Sequence, residues 1–88
     1  MAITVNANGN NFDRSTIRVR AGDQVAATFQ NNDSGVEHNL SFSLPGLGHG
    51  ETCKGPCSTS QTFTARTAGS FFFFCTLHPI SGDFIVDP

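Results

Sequence analysis

The chain has a single methionine, at its start, and neither tryptophan nor tyrosine. It therefore holds no internal thioether to act as a soft donor. Its nine phenylalanines bring aromatic mass without a polar atom that needs a partner. Charge is scarce as well, five Lys and Arg against seven Asp and Glu, for a net −2 at pH 7. That excludes a basic face for nucleic acid or for an anionic membrane surface. The longest run of bulky apolar residues is the four phenylalanines at 71–74, far short of the roughly 20 that span a bilayer. Met1-Ala2-Ile3 leads straight into a strand-like pattern, without the basic segment and apolar stretch of a signal peptide. No repeat, low-complexity tract or linker divides the 88 residues, so one domain over 1–88 is expected. A core of that size is marginal, and a metal or a disulfide would help to hold it.

What the chain does have is punctuation. Nine Gly and four Pro fall largely between short apolar runs. Residues 2–7 alternate, with Ile3 and Val5 on one face, and residues 12–20 resume the pattern with Ile17 and Val19 inward. Residues 24–30 place Val25, Ala27 and Phe29 together, and 37–44 place His38, Leu40, Phe42 and Leu44 together. After a long Gly-containing loop at 45–60, alternation returns at 61–67, 70–75 and 83–87. Turn clusters such as Asn8-Gly9-Asn10-Asn11 and Asn31-Asn32-Asp33-Ser34-Gly35 separate these runs. The pattern predicts an all-β sandwich of about seven to eight strands, with no amphipathic helix.

The chemistry gathers after the phenylalanine run, in Cys75-Thr76-Leu77-His78-Pro79-Ile80-Ser81-Gly82. Alternation sets Phe71, Phe73 and Cys75 on one face, so the sulfur falls at the rim of an apolar interior. Alone, such a cysteine reads as a buried structural residue. His78, three residues on and across a turn, can be aimed at the same point. His38 faces an apolar layer, where an imidazole is costly unless both nitrogens are satisfied. A metal on one nitrogen and a hydrogen bond on the other would do that. Asn39 is placed to tie the two ligand-bearing segments together. One cysteine and two histidines are the soft and borderline ligands of a trigonal copper site.

His38-Asn39, then Gly69-Ser70-Phe71-Phe72-Phe73-Phe74-Cys75-Thr76-Leu77-His78-Pro79, then Gly82-Asp83-Phe84-Ile85-Val86 resembles the cupredoxin (blue, type 1 copper) family. The early Ile17-Arg18-Val19-Arg20-Ala21-Gly22-Asp23-Gln24-Val25 is similar to that family's strand, turn and strand. The likeness is of the plastocyanin and amicyanin kind and is weakest over 46–60. It implies a Greek-key β-sandwich, one copper held by His38, Cys75 and His78, and single-electron transfer; with no further His cluster, Ser-His-Asp set or carboxylate pair in the sequence, the chain is not expected to be an enzyme. It also implies a monomer whose redox partners dock on an apolar patch at His78, Leu77, Pro79 and Ile80, joined by Pro45 and Leu47. No nucleic acid or membrane contact is expected within this chain.

The chain departs from that family after His78. A methionine normally follows as weak axial ligand, and here the position falls on Ile80 or on Ser81, with a shortened loop. A three-coordinate site under Ile80 would give a high potential. An oxygen from Ser81, Glu37 or water would lower it, and a third outcome is that the short loop forms no normal site. Cys53-Lys54-Gly55-Pro56-Cys57 contains a tight-turn dipeptide and reads first as a disulfide, which would place the mature protein in a periplasmic or extracellular compartment. A second reading is a metal site with His49. The binuclear copper centre suggested by Cys-x-x-x-Cys spacing needs both cysteines beside the second histidine, where Cys75 stands alone. Two other functions compete with electron transfer: a copper chaperone or storage module, and a non-catalytic domain of a larger copper oxidoreductase.

Overall fold

A computed structural model describes all 88 residues, Met1 to Pro88, as ten short strands and no helix. In chain order these are β1 (Ala2–Asn8), β2 (Asn11–Phe12), β3 (Thr16–Arg20), β4 (Gln24–Asn31) and β5 (Glu37–His38). The rest are β6 (Ser41–Phe42), β7 (Cys53–Lys54), β8 (Cys57–Thr64), β9 (Gly69–Phe74) and β10 (Ser81–Asp87). One sheet has the order β2-β1-β4-β8 and the other β3-β10-β9-β6. The chain crosses repeatedly between them, giving the Greek-key sandwich expected for its alternating strands. β5 and β7 form a separate two-stranded ribbon. No helix is long and apolar enough to cross a membrane.

The inward residues predicted from alternation fill the space between the sheets. Val5, Ile17, Val25, Phe29, Phe73, Phe84 and Val86 are all essentially without solvent exposure. Phe42, Phe63 and Phe84 make one aromatic cluster, with centroids 4.8 to 6.0 Å apart. Phe12 and Phe73 meet at 5.5 Å in another. Tilted and edge-on contacts of this kind add about 0.5–1.5 kcal/mol per pair beyond the area they bury.

Three boundaries differ from the sequence reading. Residues 12–20 are two strands in different sheets, because the chain leaves β2 and crosses to the other layer before β3. Asp13 pins that crossing, its carboxylate accepting from the Asn6 backbone and side chain at 2.8 and 2.9 Å. Residues 37–44 also split, β5 pairing with β7 and β6 with β9. Here Asn39 and Ser41 are buried along with His38 and Leu40, so neither face is solvated and the period-2 pattern no longer marks one strand. Finally, the expected loop at 45–60 contains β7 and the first half of β8. Cys57-Ser58-Thr59-Ser60 has no apolar alternation to announce a strand, yet pairs fully with residues 28–31 of β4.

Candidate metal centre

Cys75 follows directly on β9, and the turn to β10 carries His78. The Cys75 N–H donates to the Ile80 carbonyl at 3.1 Å, closing that turn, and the Ile80 N–H donates to the His78 carbonyl at 2.8 Å. His38 ends β5 at the same end of the sandwich. The structure brings the three predicted residues together. Cys75 Sγ lies 3.8 Å from His38 Nδ1, and the His38 and His78 rings are 4.8 Å apart at their centroids. Both Cys75 and His38 are buried. The three side chains stand side by side without being drawn into a closed metal-coordinating cluster, nor does any other such cluster exist.

Hydrogen bonding decides which nitrogens are free. His38 Nε2 is 2.8 Å from Asp33 Oδ2, and His78 Nε2 is 3.0 Å from the Glu37 carbonyl. A carbonyl and an ionised carboxylate only accept, so in the neutral imidazoles both Nε2 atoms carry the proton. Both Nδ1 atoms then hold lone pairs. The sulfur receives the Leu77 N–H at 3.4 Å. One sulfur and two imidazole Nδ1 atoms, with Cys75 and His38 buried and His78 half-buried, are a donor set that suits copper.

Asn39 ties the two segments, as its place beside His38 suggested. Its Oδ1 accepts the Thr76 N–H at 3.0 Å, and its amide donates to the Thr76 and Thr52 hydroxyls at 2.7 and 3.2 Å. Asp33, by contrast, stands in the sequence only as part of a polar turn. The Asn10 N–H holds its carboxyl below the usual carboxylate range, against desolvation, with His38 and the Gly9 N–H adding to the effect. Buried Asn31 positions this turn, accepting the Asp33 N–H and donating to the carbonyls of Val36 and Cys53. Spacing alone has no marker that distinguishes such residues from ordinary Asx-turn formers.

Ser81 opens β10 opposite Phe74, exposed and on the outward face shared with Asp83, whereas Ile80 is half-buried in the closed turn. Cys53 and Cys57 place their sulfurs at bonding distance, with Cα atoms 6.2 Å apart. His49 is exposed, and it does not gather with Cys53 and Cys57 into the three-donor site that the spacing allowed. A groove of about 460 Å³ beside His78 is lined by Phe72, Phe74, Pro79 and Ile80. Pro45 and Leu47 do not join that patch. They line a different groove with Leu44, Phe63 and Arg66, because β6 carries the chain away from the His78 end.

A family model described as a cupredoxin-like domain matches residues 1–86. Among solved structures, auracyanin A, a "blue" copper protein of the green photosynthetic bacterium Chloroflexus aurantiacus, superposes with a TM-score of 0.86 at 21% identity. The match covers 99% of this chain and 98% of that one, and at this identity the likeness is one of fold. An amicyanin variant in its reduced Cu(I) form is 31% identical over 98% of this chain and 82% of its own, with a TM-score of 0.71. Copper nitrite reductase from Nitrosomonas europaea gives a TM-score of 0.87 at 25% identity. All of this chain matches, but only 41% of that enzyme. No curated protein sequence matches the chain.

Proposed function

The chain belongs to the cupredoxin-like family, and from that premise we propose that it holds one copper ion on His38, Cys75 and His78 and passes single electrons between redox proteins. The observation that carries this is the approach of a buried thiol to a buried imidazole whose other nitrogen is already bonded. A bound copper ion would supply a one-electron Cu(II)/Cu(I) couple, with thiolate favouring the reduced state. The protein's part is to keep the ligands still. Cys75 is fixed by the β9–β10 ladder, His38 by Asp33, and the two segments by Asn39, which limits rearrangement between oxidation states. Partners would dock at Leu77, about half exposed, with Pro79 and Ile80, and the apolar surface continues onto exposed Phe72. Contacts of this type are small and short-lived. We further propose that Cys53 and Cys57 form a disulfide and that the mature protein works in the periplasm or outside the cell.

The test is a Cu(II) titration of the purified protein followed in the visible range. An intense band toward the red supports the reading, and a colourless complex would sink it.

Ile80 is the better candidate for the axial position, since Ser81 faces outward. Ile80→Met should then shift the visible spectrum and lower the reduction potential, while Ser81→Met changes neither. Voltammetry and absorption spectra of both variants check this, and the reverse ranking would refute it.

A further inference from the structure

Resting on the copper reading above, we infer that Asp33 is the anionic positioning residue of the site: it fixes which nitrogen of His38 is free and favours the more highly charged state of the metal.

That carboxylate is firmly held. Asp33 Oδ2 lies 2.8 Å from His38 Nε2, and its side chain is only 13% exposed although it sits on a turn. The Gly9 and Asn10 N–H groups donate to the carboxylate from the tip of the first hairpin. Its own N–H donates to buried Asn31 at 3.0 Å. The other side is closed by Gly55, where a Cβ would collide with the Asp33 carbonyl. Gly55 also bonds through its backbone to Gly35 and Val36, each at 3.0 Å. Four segments thus converge on one acidic residue whose single side-chain partner is the buried imidazole.

The chemistry of that contact is specific. An acceptor on Nε2 keeps the neutral ring protonated there and leaves Nδ1, the nitrogen facing Cys75, with its lone pair. A carboxylate does more than a carbonyl would, because its full negative charge makes the imidazole a stronger donor. The same charge stabilises Cu(II) more than Cu(I) in a site shielded from water. Asp33 thereby opposes the rise in potential expected from the missing thioether.

Two experiments test this. In the copper-free protein, ¹⁵N NMR should find His38 as the Nε2–H form, and a proton on Nδ1 would overturn the proposal whatever the variants do. In the copper form, Asp33→Asn keeps the shape and loses the charge, whereas Asp33→Glu keeps the charge and alters the length. Asp33→Asn should lose about tenfold in Cu(II) binding relative to Cu(I), a rise of about 59 mV for a one-electron couple. Asp33→Glu should stay nearer the wild type in potential even where it melts lower. A merely structural role predicts the opposite ranking, with the isosteric Asn variant the milder, and equal potentials in the Asn variant and the wild type would also refute the idea. Failure of the wild type to develop a thiolate band removes the electron-carrier reading but leaves the tautomer measurement intact, so the two failures are distinguishable.

Discussion

Cys75→Ser should erase the visible band of the copper-loaded protein and cut its copper affinity by well over the 10–100-fold that losing a supporting residue alone costs. The sulfur is the only soft donor at the site, and the colour belongs to the bond between thiolate and Cu(II). A serine hydroxyl at this position remains protonated at neutral pH and offers a harder, weaker ligand. The substitution changes little else. The side chain keeps its size class, and its oxygen can still accept the Leu77 N–H that now reaches Sγ. The copper-free variant should therefore melt close to the wild type, within the effect of about one hydrogen bond, roughly 1 kcal/mol. Titration with Cu(II) and thermal denaturation of the copper-free protein read the two effects separately. A band that survives the substitution would mean that the thiolate of Cys75 is not a ligand.

The largest loss of stability is expected two residues earlier on the same face. Phe73 is wholly buried, pairs across the sheet with Phe42 on one side and Gly82 on the other, and packs on Phe12. Gly82 is there to receive it, since a Cβ at that position would strike the Phe73 ring. Phe73→Ala leaves a cavity that flanking β-strands cannot close, at about 3–5 kcal/mol. For 88 residues the whole folding stability is on the order of 4–13 kcal/mol. The melting temperature should fall by about 12 °C or more. Phe72→Ala on the next residue supplies the control, because Phe72 is 54% exposed and should change stability by no more than about 0.5 kcal/mol. Urea and thermal denaturation of both copper-free variants measure the contrast. Similar losses for the two would contradict the assignment of faces on β9.

What the sequence made legible follows from where water reaches. Strands with one wet face advertise themselves, and so the burial of Val25, Ala27 and Phe29, or of Phe84 and Val86, is legible from alternation. The stretch from His38 to Phe42 was not, because it passes over the end of the sandwich with both faces covered and changes partner strand midway. Its five buried residues in a row carry no period. The polar first half of β8 failed for the opposite reason, having no apolar residues to show a face. At the site, residue type and spacing were enough to nominate Cys75, His78, His38 and Asn39. Asp33 stayed hidden because an aspartate in a turn already has a local explanation, and only the folded chain brings the hairpin tip and the imidazole to its two oxygens.

The ribbon of β5 and β7 gives the proposed ligands unequal footing. Cys75 follows β9, an inner strand of a four-stranded sheet, and core strands of that kind are the last to open. His38 belongs to two rungs of pairing, with Cys53 directly across from it. Small pieces of this kind open locally at far lower free energy than the core. On the copper reading proposed above, an ion would thus enter or leave past His38 while the sandwich stays folded.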